Sequence, residues 1–160
     1  MTNRQLNIEY VEYDSLSEMT PEDRELVRTA SEARKGSYSP YSHFSVGAAL
    51  LLADGTVVKG ANQENAAYPS GLCAERTAMF AASANYPDVP FDTLAIIAGP
   101  HGGVCDYPAS PCGSCRQVMA EYQKKFKRPL KVILAGTNRI RKFSCVDDLL
   151  PFIFDSLDKP

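Results

Sequence analysis

At 160 residues the chain is long enough to bury a core without disulfide staples, and its length suits one domain. The 17 Lys and Arg against 19 Asp and Glu leave a formal net charge of -2, so charge gives no footprint for a nucleic-acid partner. An odd count of five cysteines, with no signal-peptide stretch after Met1, argues against a disulfide framework, and no window reaches the roughly 18 apolar residues of a membrane span.

Residues 1–20 alternate loosely ("LNIEYVEY") and read as an N-terminal extension, either an extra edge strand or a mobile arm, ahead of a single domain over 21–160. Thr20-Pro21-Glu22-Asp23 is a helix start: a hydroxyl cap, proline at the first position, and acids in the positive first turn. Leu26, Val27, Ala30 and Ala33 follow at helical spacing, and Gly36 is a stop. Val46 to Ala53 and Thr56 to Ala61 are strand-like around Asp54-Gly55, which predicts a hairpin with a type I′ turn.

After a loop from Asn62 to Gly71, a helix is expected from Cys73 to Ala84, then a buried strand from Leu94 to Ala98. Gly99 to Ser110 is a glycine-rich loop, and Cys112 to Phe126 is helical. The basic run Lys124, Lys125, Lys127 and Arg128 reads as that helix's solvated end. Leu130 to Ala135 and Arg139 to Ser144 are further strands, and Val146 to Leu157 is expected to close the chain as a helix bent or restarted at Pro151. This alternation predicts an α/β fold in three layers, a mixed sheet of about five strands with helices on both faces.

Chemistry concentrates in Cys73-Ala74-Glu75 and Pro111-Cys112-Gly113-Ser114-Cys115. A Cys-x-x-Cys on the first turn of a helix puts both sulfurs on one face, and the positive helix end favours thiolates. By itself it is equally a redox pair or half of a structural site. A third cysteine from another helix start supplies three corners of a tetrahedron, and three protein ligands with one open position describe a catalytic zinc. Cys-x-Glu followed by Pro-Cys-x-x-Cys is the pattern of the zinc deaminases, in which the glutamate moves protons and does not ligate. A closed structural site needs a fourth ligand. Cys105, Cys145, His43 and His101 are the remaining soft candidates, with Cys105 foremost because it lies just before Cys112.

"SPYSHFSVGAALLLADGTVVKGANQENAAYPSGLCAERTA" and "SPCGSCRQVMAEY" resemble the cytidine deaminase family in its short, three-cysteine form, from about Ser37 to the C-terminal segment. The resemblance implies the three-layer cytidine-deaminase-like fold and one zinc per subunit, held by Cys73, Cys112 and Cys115, with Glu75 as the catalytic proton carrier. It implies that Arg76 hydrogen-bonds ligand sulfurs, and Arg116, which also follows a ligand, is a second candidate for that task. It implies that Phe44 packs on the pyrimidine and that Asn62 and Glu64 hold the ribose hydroxyls. It further implies that Tyr68 lines the pocket or supports the ribose side, that the Ala74 amide meets the pyrimidine oxygen, and that the carbonyl near Ser110 receives the departing amine.

"LLPFIF" matches the family's segment whose last phenylalanine, here Phe154, enters a neighbouring subunit's site, so a homotetramer with shared active sites is expected. The expected activity is deamination of cytidine and 2′-deoxycytidine for pyrimidine salvage, in the cytoplasm, with no membrane or nucleic-acid partner. The competing readings are a deaminase of a modified cytosine nucleoside, of the blasticidin type, and a catalytically silent zinc scaffold. Residues 1–20 and the "GPHGGVCDYPAS" loop depart from the family pattern.

Overall fold

The computed structural model describes residues 1–155, which form strands β1 (Val11–Tyr13), β2 (Phe44–Leu52), β3 (Val57–Ala61), β4 (Phe91–Pro100), β5 (Lys131–Ala135) and β6 (Ile140–Phe143). Helix α1 (Pro21–Ala33) precedes β2, α2 (Ala74–Asn85) joins β3 to β4, and α3 (Gly113–Phe126) joins β4 to β5. The sheet order is β1-β6-β5-β4-β2-β3, in which β4 and β5 are parallel and every other neighbouring pair is antiparallel.

The sixth strand comes from the first 20 residues, so the open choice there falls to an edge strand. Val11, Glu12 and Tyr13 pair with Lys142, Arg141 and Ile140. Arg141 donates to Glu12 at 2.8 Å and Arg139 pairs with Asp14, while the Tyr10 ring lies 5.4 Å from that of Phe143. These contacts cover what is otherwise the exposed edge of β6.

Helix α1 begins as its sequence requires: Pro21 takes the first position and the Asp23 amide donates to Thr20 Oγ1 at 3.3 Å. The hairpin between β2 and β3 forms, but not through a type I′ turn. Gly55 has φ +90° while Asp54 stays outside the positive-φ region. Gly55 N donates to Leu52 O at 3.0 Å and Leu52 N to Thr56 O at 2.8 Å, which encloses a three-residue loop. This is a type I turn closed by a left-handed glycine, favoured because only one residue leaves the ordinary φ range.

The expected C-terminal helix is a correction. Val146–Asp148 make one 3-10 turn, residues 149–155 are irregular, and positions 156–157 lie outside the described residues. Pro151 lacks an N–H, and its ring blocks the carbonyl four residues back, so a helix begun at Val146 stops within a turn. Side chains of α3 hold the segment instead: Gln117 donates to Phe154 O, and Lys124 reaches Asp155 O.

Alternation along the strands builds two cores. Ala48, Leu50, Leu94, Ile96, Val132 and Leu134 face α2 and α3 through Ala78, Met79, Cys115 and Met119. Ala49, Ala95, Ile97, Ile133 and Ala135 face α1 through Leu26, Val27 and Ala30. Helices therefore cover both faces, and burial of these side chains supplies the main stabilisation.

One position on β3 decides where α2 begins. A Cβ on Gly60 would stand 2.3 Å from the Ala74 carbonyl oxygen and 2.6 Å from the Ala78 nitrogen. The backbone of the first turn of α2 therefore rests directly on the strand. Gly60→Ala must push that turn away, and is expected to cost about 2–3 kcal/mol of unfolding free energy in a urea titration. It should also weaken zinc retention, because Cys73 caps the displaced helix. Wild-type stability and metal content in the variant would show that the close packing is not required.

Candidate active site

Cys73 caps α2, Cys112 caps α3, and Cys115 lies in the first turn of α3. Their ligand atoms all fall within 4.8 Å of one another, with Cys73 Sγ 3.8 Å from Cys112 Sγ and Cys112 Sγ 3.5 Å from Cys115 Sγ. Zinc–sulfur bonds of about 2.3 Å at tetrahedral angles separate the sulfurs by about 3.8 Å, so the donor set fits that ion with one vertex left for a non-protein ligand. Among the described residues no fourth Cys, His, Asp or Glu joins this cluster. Cys145 Sγ donates to Asp148 Oδ2, and Cys105 stands near Arg34 at the end of α1.

Electrostatics set Cys73 and Cys115 apart. Cys73 is held well below the ordinary thiol range because it accepts from the Cys115 thiol foremost, with Arg76 and Cys112 adding to the effect against the opposing cost of burial. Cys115 moves up, since its proton is committed to Cys73 and the site is buried. Arg76 Nη2 donates to Cys73 Sγ at 3.5 Å, and its buried Nε has no hydrogen-bond partner. Arg116 does not share this role: its Nε donates to Pro111 O and its Nη1 to Leu149 O, each at 2.9 Å.

Glu75, only 4 % exposed, follows Cys73 by two positions on the first turn of α2. Burial raises its carboxyl above the usual carboxylate range, with the neighbouring Cys73 sulfur acting in the same direction. It opens on a cavity of about 780 Å³ that also presents Cys73, Arg76 and Cys112. Phe44, Asn62, Glu64, Tyr68 and Ser110 line the same cavity, so distant stretches of sequence meet there.

The orientation of these groups restricts what each can do. Asn62 Oδ1 accepts from Ser37 Oγ at 2.6 Å and from Val46 N at 2.8 Å, while Nδ2 donates to Phe44 O at 3.0 Å. The amide keeps one free N–H and no free lone pair. Glu64 Oε2 accepts from the Tyr41 and Ser42 amides at 3.0 and 3.2 Å, and donation by the Ser42 hydroxyl is the leading reason its carboxyl sits low. Tyr68 is exposed, with its ring edge-on to Tyr41 at 6.4 Å.

Two sequence candidates lie outside the cavity wall. Ala74 is fully buried, and its N–H is among the first-turn donors that have no partner within α2. Phe154 is 65 % exposed and does not line the cavity of its own chain. Val46, Ile96 and Ala98 form an apolar wall that motif reading passed over. The period-two pattern of β2 and β4 was the available signal for them.

The cytidine and deoxycytidylate deaminase zinc-binding region matches residues 20–128 as a family model. Cytidine deaminase of Halalkalibacterium halodurans is 45 % identical over 135 residues, which cover 83 % of this chain and 94 % of the relative. Cytidine deaminase of Mycobacterium tuberculosis is 45 % identical over 131 residues, 82 % of this chain and 88 % of the relative. A crystal structure of cytidine deaminase from Burkholderia pseudomallei superposes with a TM-score of 0.70 at 43 % identity, covering 85 % of this chain and all of that one.

The sulfur cluster makes separable predictions for metal content. Cys105→Ser should retain zinc at wild-type affinity in a chelator competition, whereas Cys112→Ser should lose it. Arg76→Gln should keep the ion but bind it roughly 10-fold more weakly or worse. Zinc loss on Cys105→Ser would return that residue to the ligand set.

Proposed function

We propose that this chain, which belongs to the cytidine and deoxycytidylate deaminase family, hydrolyses cytidine and 2′-deoxycytidine to the corresponding uridines and ammonia. The observation that carries the proposal is a buried carboxyl, Glu75, on the same helix turn as a zinc ligand and opening into one cavity with it. Zinc held by Cys73, Cys112 and Cys115 supplies an acidified water near neutral pH.

Glu75 accepts a proton from the attacking water and delivers it to ring nitrogen 3, which makes carbon 4 electrophilic. It then carries the second proton to the leaving amine, and ammonia departs as the oxygen takes its place. Burial suits this duty, because a raised pKa brings the proton affinity of the carboxyl closer to that of its partners. Phe44, with Val46 and Ile96, offers the apolar surface against which a pyrimidine packs. The unpaired Ala74 N–H is suited to the pyrimidine oxygen, and the backbone around Ser110 to the amine.

The sugar end supports a free nucleoside. Asn62 has only an N–H to give and Glu64 keeps Oε1 to accept with, which matches a hydroxyl that both accepts and donates. Among the described residues Arg76 is the one cation lining the cavity, and it is directed to sulfur, which favours an uncharged nucleoside over a phosphorylated one. Exposed Phe152 and Phe154, on a segment that Gln117 of α3 holds at the Phe154 carbonyl, support insertion into a second copy and hence a homotetramer with shared sites. A place in pyrimidine salvage follows from that substrate choice. No helix among the described residues is long and apolar enough to cross a membrane.

Ammonia release from cytidine and deoxycytidine by the zinc-loaded protein tests the reading, and release from neither would end it. Glu75→Gln is expected to keep its zinc and lose roughly 10²- to 10⁴-fold in kcat. Sedimentation should give a tetramer, and a fully active monomer would remove the shared-site part.

A further inference from the structure

The loop after β4 opens at His101, and this residue is bonded to the loop over residues 39–43, whose Tyr41 and Ser42 line the cavity. His101 N donates to His43 O at 3.0 Å, and the two imidazoles meet edge to face at 5.4 Å. His101 Nε2 lies 2.9 Å from Ser39 Oγ, a hydroxyl on a residue only 3 % exposed. Ser39 Oγ lies 3.1 Å from Ser37 Oγ, which lies 2.6 Å from Asn62 Oδ1. Four side chains from three loops thus form one unbroken hydrogen-bonded chain.

Ser37 Oγ is the donor at the centre of this chain, directed at both Asn62 Oδ1 and Ser39 Oγ. Asn62 Oδ1 is a carbonyl oxygen and can only accept. Ser39 Oγ joins the imidazole of His101 to the hydroxyl that holds Asn62. With Val46 N as second donor, the amide oxygen of Asn62 is filled and its free N–H is what faces the pocket.

We propose that His101 is a positioning residue for the sugar end of the pocket, ordering Asn62 through Ser39 and Ser37. The proposal rests on the nucleoside reading above. Removing the imidazole leaves the buried Ser39 hydroxyl without its ring partner and frees the two serine hydroxyls to reorient. It also unties the loop over residues 39–43, which carries Tyr41 and Ser42 of the cavity wall and holds His43 at φ +55°. Such a φ costs a non-glycine residue energy unless surrounding contacts maintain it; the backbone bond from His101 N to His43 O persists in His101→Ala, and the edge-to-face contact of the two imidazoles is the one that variant loses.

The test compares cytidine with 2′,3′-dideoxycytidine, which lacks both ring hydroxyls, as a competing ligand. His101→Ala and Ser39→Ala are each expected to raise KM for cytidine about fivefold, the worth of roughly one hydrogen bond. Turnover number should stay within about twofold, and the inhibition constant of the dideoxynucleoside should not move. The double variant should be no worse than either single one, since both break the same chain. His101→Gln, which can place an N–H near the Nε2 position, should restore KM.

The chain has two histidines, so ring-nitrogen NMR assigned with His43→Ala follows His101 Nε2 directly. Its signal is expected to shift in Ser39→Ala, and an Nε2 signal that this variant leaves unchanged would overturn the chain. Equal weakening of both nucleosides, or no change in KM, would overturn the positioning role. If the wild-type enzyme deaminates neither nucleoside, the substrate reading fails while the response of the His101 Nε2 signal to Ser39→Ala still decides whether the chain exists.

Discussion

β3 and β4 both run antiparallel to β2 and therefore parallel to each other, and the active site depends on that shared direction. Each strand is followed by a helix, and β3, β4 and β5 advance the same way across the sheet. Right-handed crossovers that step in one direction lay their helices on one face. α2 and α3 accordingly share a core, and their N-termini emerge at the same sheet edge. A cysteine capping each helix then suffices to bring together sulfurs 39 positions apart in sequence. Gly60 sets the height of the first of those helices above the strand layer.

That convergence also answers the charge of the site. Three thiolates against a doubly charged ion leave about -1, counting one charge per sulfur, with the Glu75 carboxyl close by. Two helix N-termini direct positive ends at the sulfurs, and Arg76 donates to Cys73. The remaining excess falls on Glu75, whose carboxyl is raised chiefly by burial. The two arginines that each follow a ligand have diverged in duty. Arg76 supplies charge to a sulfur, whereas Arg116 ties the carbonyl before Cys112 to the start of the C-terminal segment. Metal loop and C-terminal segment are thereby held by one guanidinium.

The zinc site was legible in sequence because its chemistry depends on local spacing: Cys-x-x-Cys and Cys-x-Glu are each confined to one helix turn. Strand alternation and the cap at Thr20 were legible for the same reason, being local periodicities and local hydrogen bonds. The turn at Asp54-Gly55 was identified as a turn but given the wrong type, since one glycine suits either the two-residue or the three-residue loop and strand register decides between them. Leu149, Leu150 and Phe152 to Phe154 carry an apolar pattern that invited a helix, and Pro151 outweighed it. Arg116 pointed to sulfur by sequence position, yet its fork is occupied by two carbonyls. Ser37 and Ser39 gave no signal, and His101 stood out only as a candidate metal ligand, because a chain of hydrogen bonds between loops has no spacing in sequence.

The two ends of the pocket are therefore supported by different physics. At the metal end, positions are set by helix and strand backbones in direct contact, where a single added methyl at Gly60 displaces ligands and carboxyl together. At the other end, which we propose receives the sugar, Asn62 and Glu64 stand on loops and Phe44 opens β2, and side-chain bonds of Ser37, Ser39, Ser42 and His101 join these stretches. Individual hydrogen bonds contribute on the order of 1 kcal/mol, so replacing one of them shifts binding by a modest factor and leaves the proton chemistry in place. Displacing a packed backbone disturbs every ligand at once. Substrate preference can consequently change by small steps in the loops, while the three sulfurs and Glu75 are fixed as one unit by the direction in which two strands run.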